Sequence, residues 1–261
     1  MDKTAPKVGI GIDIGGSGIK GAPVDLRAGR FTAERVKIAT PHPSTPEAVA
    51  TAVTEIAASF PDQVAPECPL GITFPAVMQH GVARSAANVD QSWIGTDVAH
   101  LMAEATGRPV VAVNDADAAA VAEHRFGAAA DVNGVVLLTT LGTGIGTALL
   151  TDGYLVPNTE FGHLEINGQD AEKRAAASAR EDEKLSYEEW AETRLQRYYS
   201  TLENLLWPDL IVVGGGVSRK ADRFLPLLRL RSPIVPAELR NTAGIVGAAT
   251  LAWEQLSPAH E

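Results

Sequence analysis

Two glycine-rich segments carry the residue types that hold phosphate. The first, Asp13-Ile-Gly-Gly-Ser-Gly-Ile-Lys20, follows the apolar run Val8-Gly-Ile-Gly-Ile12; the second, Leu141-Gly-Thr-Gly-Ile-Gly146, follows Val135-Val-Leu-Leu-Thr-Thr140. Glycines at a turn let the backbone come close to an anion, so that consecutive N–H groups surround its oxygens. Candidate phosphate ligands are Gly15, Gly16, Ser17 and Gly18 in the first segment and Thr140, Gly142, Thr143 and Gly144 in the second. The residues after the second turn, Thr147-Ala-Leu-Leu150, read as a strand without helix-cap chemistry. The predicted unit is therefore strand–turn–strand, not the strand–turn–helix of a dinucleotide site or Walker loop. One such hairpin in each half of the chain implies a duplicated phosphate clamp. Asp13 stands where a carboxylate can hold Mg2+ against phosphate oxygens, although an aspartate there also suits a turn stabilised by its own side chain. Lys20 reads equally as a phosphate ligand or as a solvated strand residue.

Three further segments carry polar groups at element ends. Asn114-Asp115 follows Val110-Val-Ala-Val113 and precedes an alanine-rich helix. At a strand end, Asp115 can take a proton from a substrate hydroxyl while Asn114 orients the same substrate; either residue equally suits a helix N-cap. Glu160-Phe-Gly-His163-Leu-Glu165 brings Glu160, His163 and Glu165 into six positions, a set suited to a sugar with several hydroxyls. A His-x-Glu pair also suits a metal, yet no cysteine cluster or second histidine pair follows, and a structural loop accounts for the same residues as well. Val212-Val-Gly-Gly-Gly-Val-Ser218 runs from a strand through Gly214, Gly215 and Gly216 into a helix, whose start can support a nucleotide or serve packing alone.

These residues need strands that end at one edge and helices that begin there. Strands are predicted at residues 8–12, 21–25, 31–39, 70–74, 110–113, 135–140, 147–150 and 210–213, and helices at 46–60, 97–106, 115–126, 186–206 and 243–254. Strands alternating with helices give an α/β architecture. The 261 residues leave room for one large or two medium domains. Apolar residues make up 45% and charged residues 21%, as in an ordinary soluble globular protein. The single cysteine, Cys68, excludes an intramolecular disulfide and fits a reducing compartment. No apolar run is long enough for a bilayer, and the residues ahead of the first strand show no export signal, so no membrane partner and a cytoplasmic location are expected. A formal net charge of −10 argues against a nucleic-acid binder. It leaves room for a polyanionic substrate in a local basic groove, and basic residues do gather late in the chain, mixed with acidic ones.

Taken together, the segments resemble the ROK family of sugar kinases, in the actin/Hsp70/hexokinase superfamily. The glycine segment from Asp13 to Lys20 and that from Leu141 to Gly146 are similar to the family's two phosphate motifs, and residues 209–218 to its adenosine-side motif. Asn114, Asp115, Glu160, His163 and Glu165 match its sugar-binding positions, with Asp115 in the place of the catalytic base. Asn88-Val-Asp-Gln-Ser-Trp93 is a looser match to the family's Asn…Trp loop, which puts Asn88 beside the sugar. Many members carry a cysteine-rich zinc motif after the histidine; residues 166–179 here contain no cysteine, so no structural zinc is expected. The segments 159–164, 171–178 and 186–190 are similar to the actinobacterial polyphosphate-using glucokinases of the family. The resemblance implies two ribonuclease-H-like α/β domains with a cleft between them: residues 1–114 with 244–261, and 115–243. It implies transfer of the terminal phosphoryl group of inorganic polyphosphate, ATP or both to the 6-hydroxyl of glucose, with mannose a further acceptor. Mg2+ would assist, a homodimer is expected, and Lys173, Arg174, Lys184, Arg194, Arg197, Arg219, Lys220 and Arg223 are candidates for a basic groove. An ATP-only glucokinase and a non-catalytic sugar-sensing regulator are the alternatives.

Overall fold

The structure is a computed structural model that describes residues 7–86 and 89–256. The chain divides into two compact units, one made of residues up to Ala122 together with those from Thr242 onward, the other of Glu123–Asn241.

The first unit is built on β1 (Val8–Gly15), β2 (Gly18–Asp25), β3 (Arg30–Phe31), β4 (Val36–Ile38), β5 (Leu70–Phe74), β6 (Met78–Gln79), β7 (Val82–Ala83) and β8 (Val110–Asn114). Six of these form one sheet in the order β3-β2-β1-β5-β8, with β4 also paired to β2. β1 and β2 are antiparallel and joined by the two-residue turn Gly16-Ser17, whereas β5 and β8 run parallel to β1. All five residues of β5 are buried, as expected of a central parallel strand covered on both faces. The unbroken strand predicted at 31–39 is instead two short ones, both paired to β2.

Helix α1 (Pro46–Ala58) begins at Thr45, whose hydroxyl accepts from the Ala48 amide, and α2 (Val98–Thr106) runs from the Asp97 cap to Gly107 in the left-handed conformation. α3 (Asp115–Phe126) follows β8 directly. The closing helix, Ala243–Leu256, lies across β1 and β5. It can do so because Gly11 and Gly71 have no side chain: a Cβ at Gly11 would meet the Ile245 carbonyl, and one at Gly71 the Ala248 carbonyl. Ile10, Ile12, Val53, Ile56, Leu70, Ile72 and Phe74 form the centre of this core.

The second unit contains β9 (Val135–Leu141), β10 (Ile145–Thr151), β11 (Tyr154–Val156), β12 (Glu165–Ile166), β13 (Gln169–Asp170), β14 (Leu210–Gly214) and β15 (Ile234–Pro236). Its main sheet has the order β11-β10-β9-β14-β15. β9 and β10 are antiparallel around the turn Gly142-Thr143-Gly144, and β14 and β15 run parallel to β9. The succession of hairpin and two parallel strands in β2-β1-β5-β8 therefore recurs as β10-β9-β14-β15. Both glycine segments are strand–turn–strand, as their sequences imply.

The helices of this unit are α4 (Glu172–Ala175), α5 (Ala177–Asp182), α6 (Tyr187–Trp190) and α7 (Gln196–Leu206). The helix predicted at 186–206 is present, but residues Ala191–Leu195 within it are wound as a π turn. The segment after β14 departs from expectation. Gly216–Arg223 is 3-10 and kinked at Lys220, with non-helical angles there, so no α-helix start stands behind Gly214–Gly216. Among the described residues no helix is long and apolar enough to cross a membrane.

Gly71→Ala would force a methyl into the Ala248 backbone and is expected to lower stability by roughly 1–3 kcal/mol, a fall of several degrees in Tm by calorimetry. An unchanged midpoint would show that the closing helix does not bear on β5 there.

Candidate active site

In the first unit, pairing register sets Lys20, Asp13 and Thr73 side by side on β2, β1 and β5. The Thr73 hydroxyl donates to Asp13 Oδ1 at 2.8 Å, and the Lys20 ammonium lies 3.4 Å from Oδ2. Thr73 is wholly buried, whereas Asp13 and Lys20 keep about a quarter of their side chains exposed, at 26% and 28%. Lys20 thus stands as the ion-pair partner of Asp13 at the base of the glycine turn. Gly16 and Ser17 form the exposed tip. The turn is secured from the side: the Thr40 hydroxyl donates to the Gly15 carbonyl at 2.5 Å, and the Lys37 side chain lies against Gly18. One carboxylate flanked by a hydroxyl fits Mg2+, which keeps several waters and takes other ligands from phosphates; it does not form a cage for a fully protein-bound metal. Among the described residues no group of three or more His, Cys, Asp or Glu could hold an ion alone.

β8 ends on Asn114 in the same unit. The Asn114 side-chain carbonyl accepts from the Ala116 and Asp117 amides at 2.8 and 3.3 Å, and its NH2 donates to the Ala76 carbonyl at 3.1 Å. Asn114 is therefore the cap of α3, with one side-chain N–H beyond these bonds. That leaves Asp115 to open the helix with an exposed carboxylate, whose Oδ1 accepts from the Ala116 amide at 3.0 Å. Negative charge is favoured at this helix end. Asn88 lies outside the described residues.

In the second unit, the turn Gly142-Thr143-Gly144 is closed by the Gly142 amide on the Gly144 carbonyl, at 2.9 Å. Ser178 holds its outer side: the hydroxyl donates to the Thr143 carbonyl at 2.6 Å and the amide to the Gly142 carbonyl at 3.1 Å. Glu172 on α4 holds the return strand by accepting the Ile145 amide at 2.6 Å. Gly214 pairs with Thr140 in register. Gly215, with φ of 81°, lies so close to Leu141 that a Cβ would strike its backbone. Gly214 and Gly215 are thereby packed, within one unit, against the strand that leads into the Gly142-Thr143-Gly144 turn.

The loop bearing Glu160, His163 and Glu165 is attached to the same strand. Thr147 on β10 donates its hydroxyl to the Thr159 carbonyl at 2.6 Å and accepts the Phe161 amide at 3.1 Å. Gly162 in the short 3-10 turn Phe161–His163 lies against the Ile145 carbonyl. His163 Nδ1 is 3.0 Å from Asp170 Oδ2, across the β12–β13 hairpin, and Asp170 Oδ1 accepts the Glu172 amide at 2.9 Å. With Nδ1 held, Nε2 is the ring nitrogen left for a ligand.

The bond to Asp170 raises the His163 pKa above its ordinary value, against partial desolvation; Glu172, Asp170 and Glu160 charges add to the rise. Desolvation pushes the Asp170 carboxyl up, but the His163 bond and charge, with the Glu172 and Lys173 amides, bring it below the usual range. Desolvation raises Glu160, with His163 opposing and Glu172 adding to the rise.

Sequence reasoning did not single out Thr73, Asp170 or Glu172. Thr73 is the one polar residue in an apolar strand, and Asn167-Gly168, both at positive φ, is the hairpin signal that would have put Asp170 opposite Glu165. The segment after His163, read above as lacking a zinc motif, folds into that hairpin and α4. It offers no thiolate, since Cys68 is buried in the first unit.

A raised histidine pKa and a lowered aspartate pKa make the His163–Asp170 pair stabilise the fold fully between the unfolded values of about 3.9 for the carboxyl and about 6.5 for the imidazole, and less at lower pH as Asp170 protonates. That contribution fades as pH rises through the folded histidine value. Asp170→Asn should bring the His163 midpoint down towards about 6.5 when its ring protons are followed by NMR, and should weaken this pH dependence of Tm. A midpoint unmoved by the substitution would show that Asp170 does not set it.

The chain matches the ROK family over residues 9–178. It is 52% identical over 247 residues to a polyphosphate glucokinase of Mycobacterium tuberculosis, covering 94% of this chain and 91% of that one. The solved structure of an inorganic polyphosphate/ATP-glucomannokinase from Arthrobacter sp. strain KM is similar at 56% identity and a TM-score of 0.89, covering 95% of this chain and 99% of that one. A ROK family glucokinase from Streptomyces griseus, solved with glucose and AMPPNP, is similar at 26% identity and a TM-score of 0.78, covering 95% and 99%. Both units have the ribonuclease-H-like arrangement of the actin/Hsp70/hexokinase superfamily, seen in the hairpin and parallel strands that each repeats. With that fold, the paired glycine hairpins and the family's match to well over half of its length, the chain belongs to the ROK family.

Proposed function

We propose that this protein is a hexose kinase that transfers the terminal phosphoryl group of inorganic polyphosphate or ATP to the 6-hydroxyl of glucose, and to that of mannose. The observation that carries the proposal is the repeated glycine hairpin, one in each unit, with an exposed aspartate opening the helix after β8. The choice of polyphosphate as a donor is supported by the relatives at 52% and 56% identity, named for its use, against 26% for the structure named a glucokinase.

In this reaction Asp115 accepts the O6 proton as O6 attacks the terminal phosphorus. The O6–P bond forms, the bridging P–O bond breaks, and the donor leaves as ADP or as a polyphosphate one residue shorter. Asn114 fixes the start of α3, hence the base's position, and offers its remaining N–H to a sugar hydroxyl. Glu160, His163 through Nε2, and Glu165 take other hydroxyls, as does Asn88. Gly15, Gly16, Ser17 and Gly18, with Thr140, Gly142, Thr143 and Gly144, grip the phosphates, and Gly214–Gly216 border the donor. Lys20 and Asp13 stand where the first turn's phosphate arrives. Asp13 is the residue that would hold Mg2+, which when bound neutralises charge on the phosphate oxygens. The chemistry needs alignment and charge neutralisation more than covalent participation by the protein. The reading also includes a homodimer in the cytoplasm.

Initial rates for a matrix of ATP and polyphosphate against glucose and mannose, with Mg2+, test donor and acceptor together. Turnover with ATP alone would replace the proposal by an ATP-only glucokinase, and turnover with neither by a sugar-binding regulator. Asp115→Asn is expected to keep glucose affinity within a few fold by calorimetry while kcat drops by roughly two or more orders of magnitude. Near-normal turnover in that variant would remove Asp115 from the role of base.

A further inference from the structure

The second unit contains a cavity of about 230 Å3 that the chemistry above does not use. The β12–β13 hairpin (Asn167, Gln169), α4 (Arg174), the π turn (Arg194) and α7 (Arg197, Tyr198) bound it, and no carboxylate is among its lining residues. Arg194 gives one guanidinium N–H to Glu183 at 2.8 Å, while its Nε is buried without a hydrogen-bond partner. None of the ion pairs among the described residues uses Arg174 or Arg197.

Tyr198 supplies an independent observation. It is 1% exposed, and its O–H has no partner, whereas the O–H of the neighbouring Tyr199 is paired with Thr139 Oγ1 at 2.8 Å. A buried hydroxyl left unpaired is costly. Burial also pushes the Tyr198 pKa well above its ordinary value, so the group stays a donor. The π turn is the third sign. It breaks a helix otherwise regular from residue 187 to 206 at the residues Ala191–Leu195, which include Arg194, and such turns recur at functional sites.

We propose that this cavity binds a phosphoryl oxoanion, with its oxygens accepting from the guanidinium groups of Arg174, Arg194 and Arg197 and from the Tyr198 O–H. Planar guanidinium donors match the geometry of phosphate oxygens. The volume lies below the roughly 300–1,000 Å3 of pockets for drug-sized ligands. It suits a free phosphate, the end of a phosphate chain or the phosphate group of a sugar phosphate. The site is distinct from the glycine turns, none of whose residues lines it. Its occupant would tie α4 to the π turn and α7, against the β12–β13 hairpin that forms another wall of the cavity. The hairpin and α4 carry Asp170, which holds His163, and Glu172, which holds the Ile145 amide. The anion would therefore stiffen both the sugar-side loop and the second turn.

Calorimetric titration with orthophosphate, tripolyphosphate and glucose 6-phosphate separates the three sources. The wild-type protein should show a binding component that Arg197→Gln weakens by roughly tenfold to a hundredfold and Tyr198→Phe by about fivefold. Tyr198→Phe keeps the ring and removes the unpaired hydroxyl, so without anion its Tm should match or exceed that of the wild type. The tightest-binding anion should also slow hydrogen exchange over residues 165–175 in the wild type and not in Arg197→Gln. Binding at the glycine turns would survive both substitutions. If every component for all three anions survives them, or exchange slows equally in Arg197→Gln, the cavity is not an oxoanion site.

Discussion

The bond from the Glu172 carboxylate to the Ile145 amide is the interaction on which the second unit's polar apparatus depends. A glycine turn that presents its amides to phosphate cannot be covered by side chains at its tip, so it must be fixed from its flanks. Glu172 does this at 2.6 Å on the return strand, and Ser178 does it on the outer side. The same carboxylate acts electrostatically on three other groups: it helps to raise His163, Glu160 and Tyr198. One acidic residue on a four-residue helix thus links the second glycine turn, the loop of Glu160 and His163, and the Arg-lined cavity.

That linkage explains why the loop of Glu160, His163 and Glu165 follows directly on β10. Thr147 and Gly162 fasten it to the strand that leaves the phosphate turn. A displacement of β10 must therefore move the loop of Glu160, His163 and Glu165 with it. Asp170 performs the corresponding service for the histidine, fixing Nδ1 so that the imidazole keeps one orientation. The group is more than half exposed, at 58%, so the restraint matters for geometry more than for stability.

The glycine segments, the strands around them and the helices with caps at Thr45, Asp97 and Asn114 were legible in the sequence because their signals are local. A turn needs glycines, and a cap needs a short oxygen-bearing side chain. Asn114-Asp115 posed a choice that spacing left open, and the structure divides the labour: Asn114 caps, and Asp115 opens the helix as an exposed carboxylate. Thr73, Asp170 and Glu172 were not legible because each acts on a residue brought to it by pairing or packing, from Asp13 sixty positions away to His163 across a hairpin. The helix expected after Gly214–Gly216 failed for a related reason. Gly215 is pressed onto Leu141 at positive φ, and the chain that leaves it takes the tighter 3-10 path before kinking at Lys220. The late basic residues separate too: Arg174, Arg194 and Arg197 share a cavity, while Arg223 lies over the Tyr187 ring.

The duplication is architectural, but its chemistry is unequal. Two residues before the last paired residue of its strand, the first hairpin carries Asp13, opposite Lys20 and beside Thr73. The corresponding place in the second hairpin is Thr139, opposite Thr147 and beside Val213. Thr139 is wholly buried and bonded to Tyr199, so it braces the core and offers nothing to a ligand. Of these two matched strand positions, only the first unit's carries a carboxylate; the carboxylate beside the second turn is Glu172, which comes from α4. Two copies of one hairpin have in this way diverged: the first has an ion pair at its base, and the second has a buried hydroxyl in the same place, with its acidic group supplied by a helix outside the hairpin.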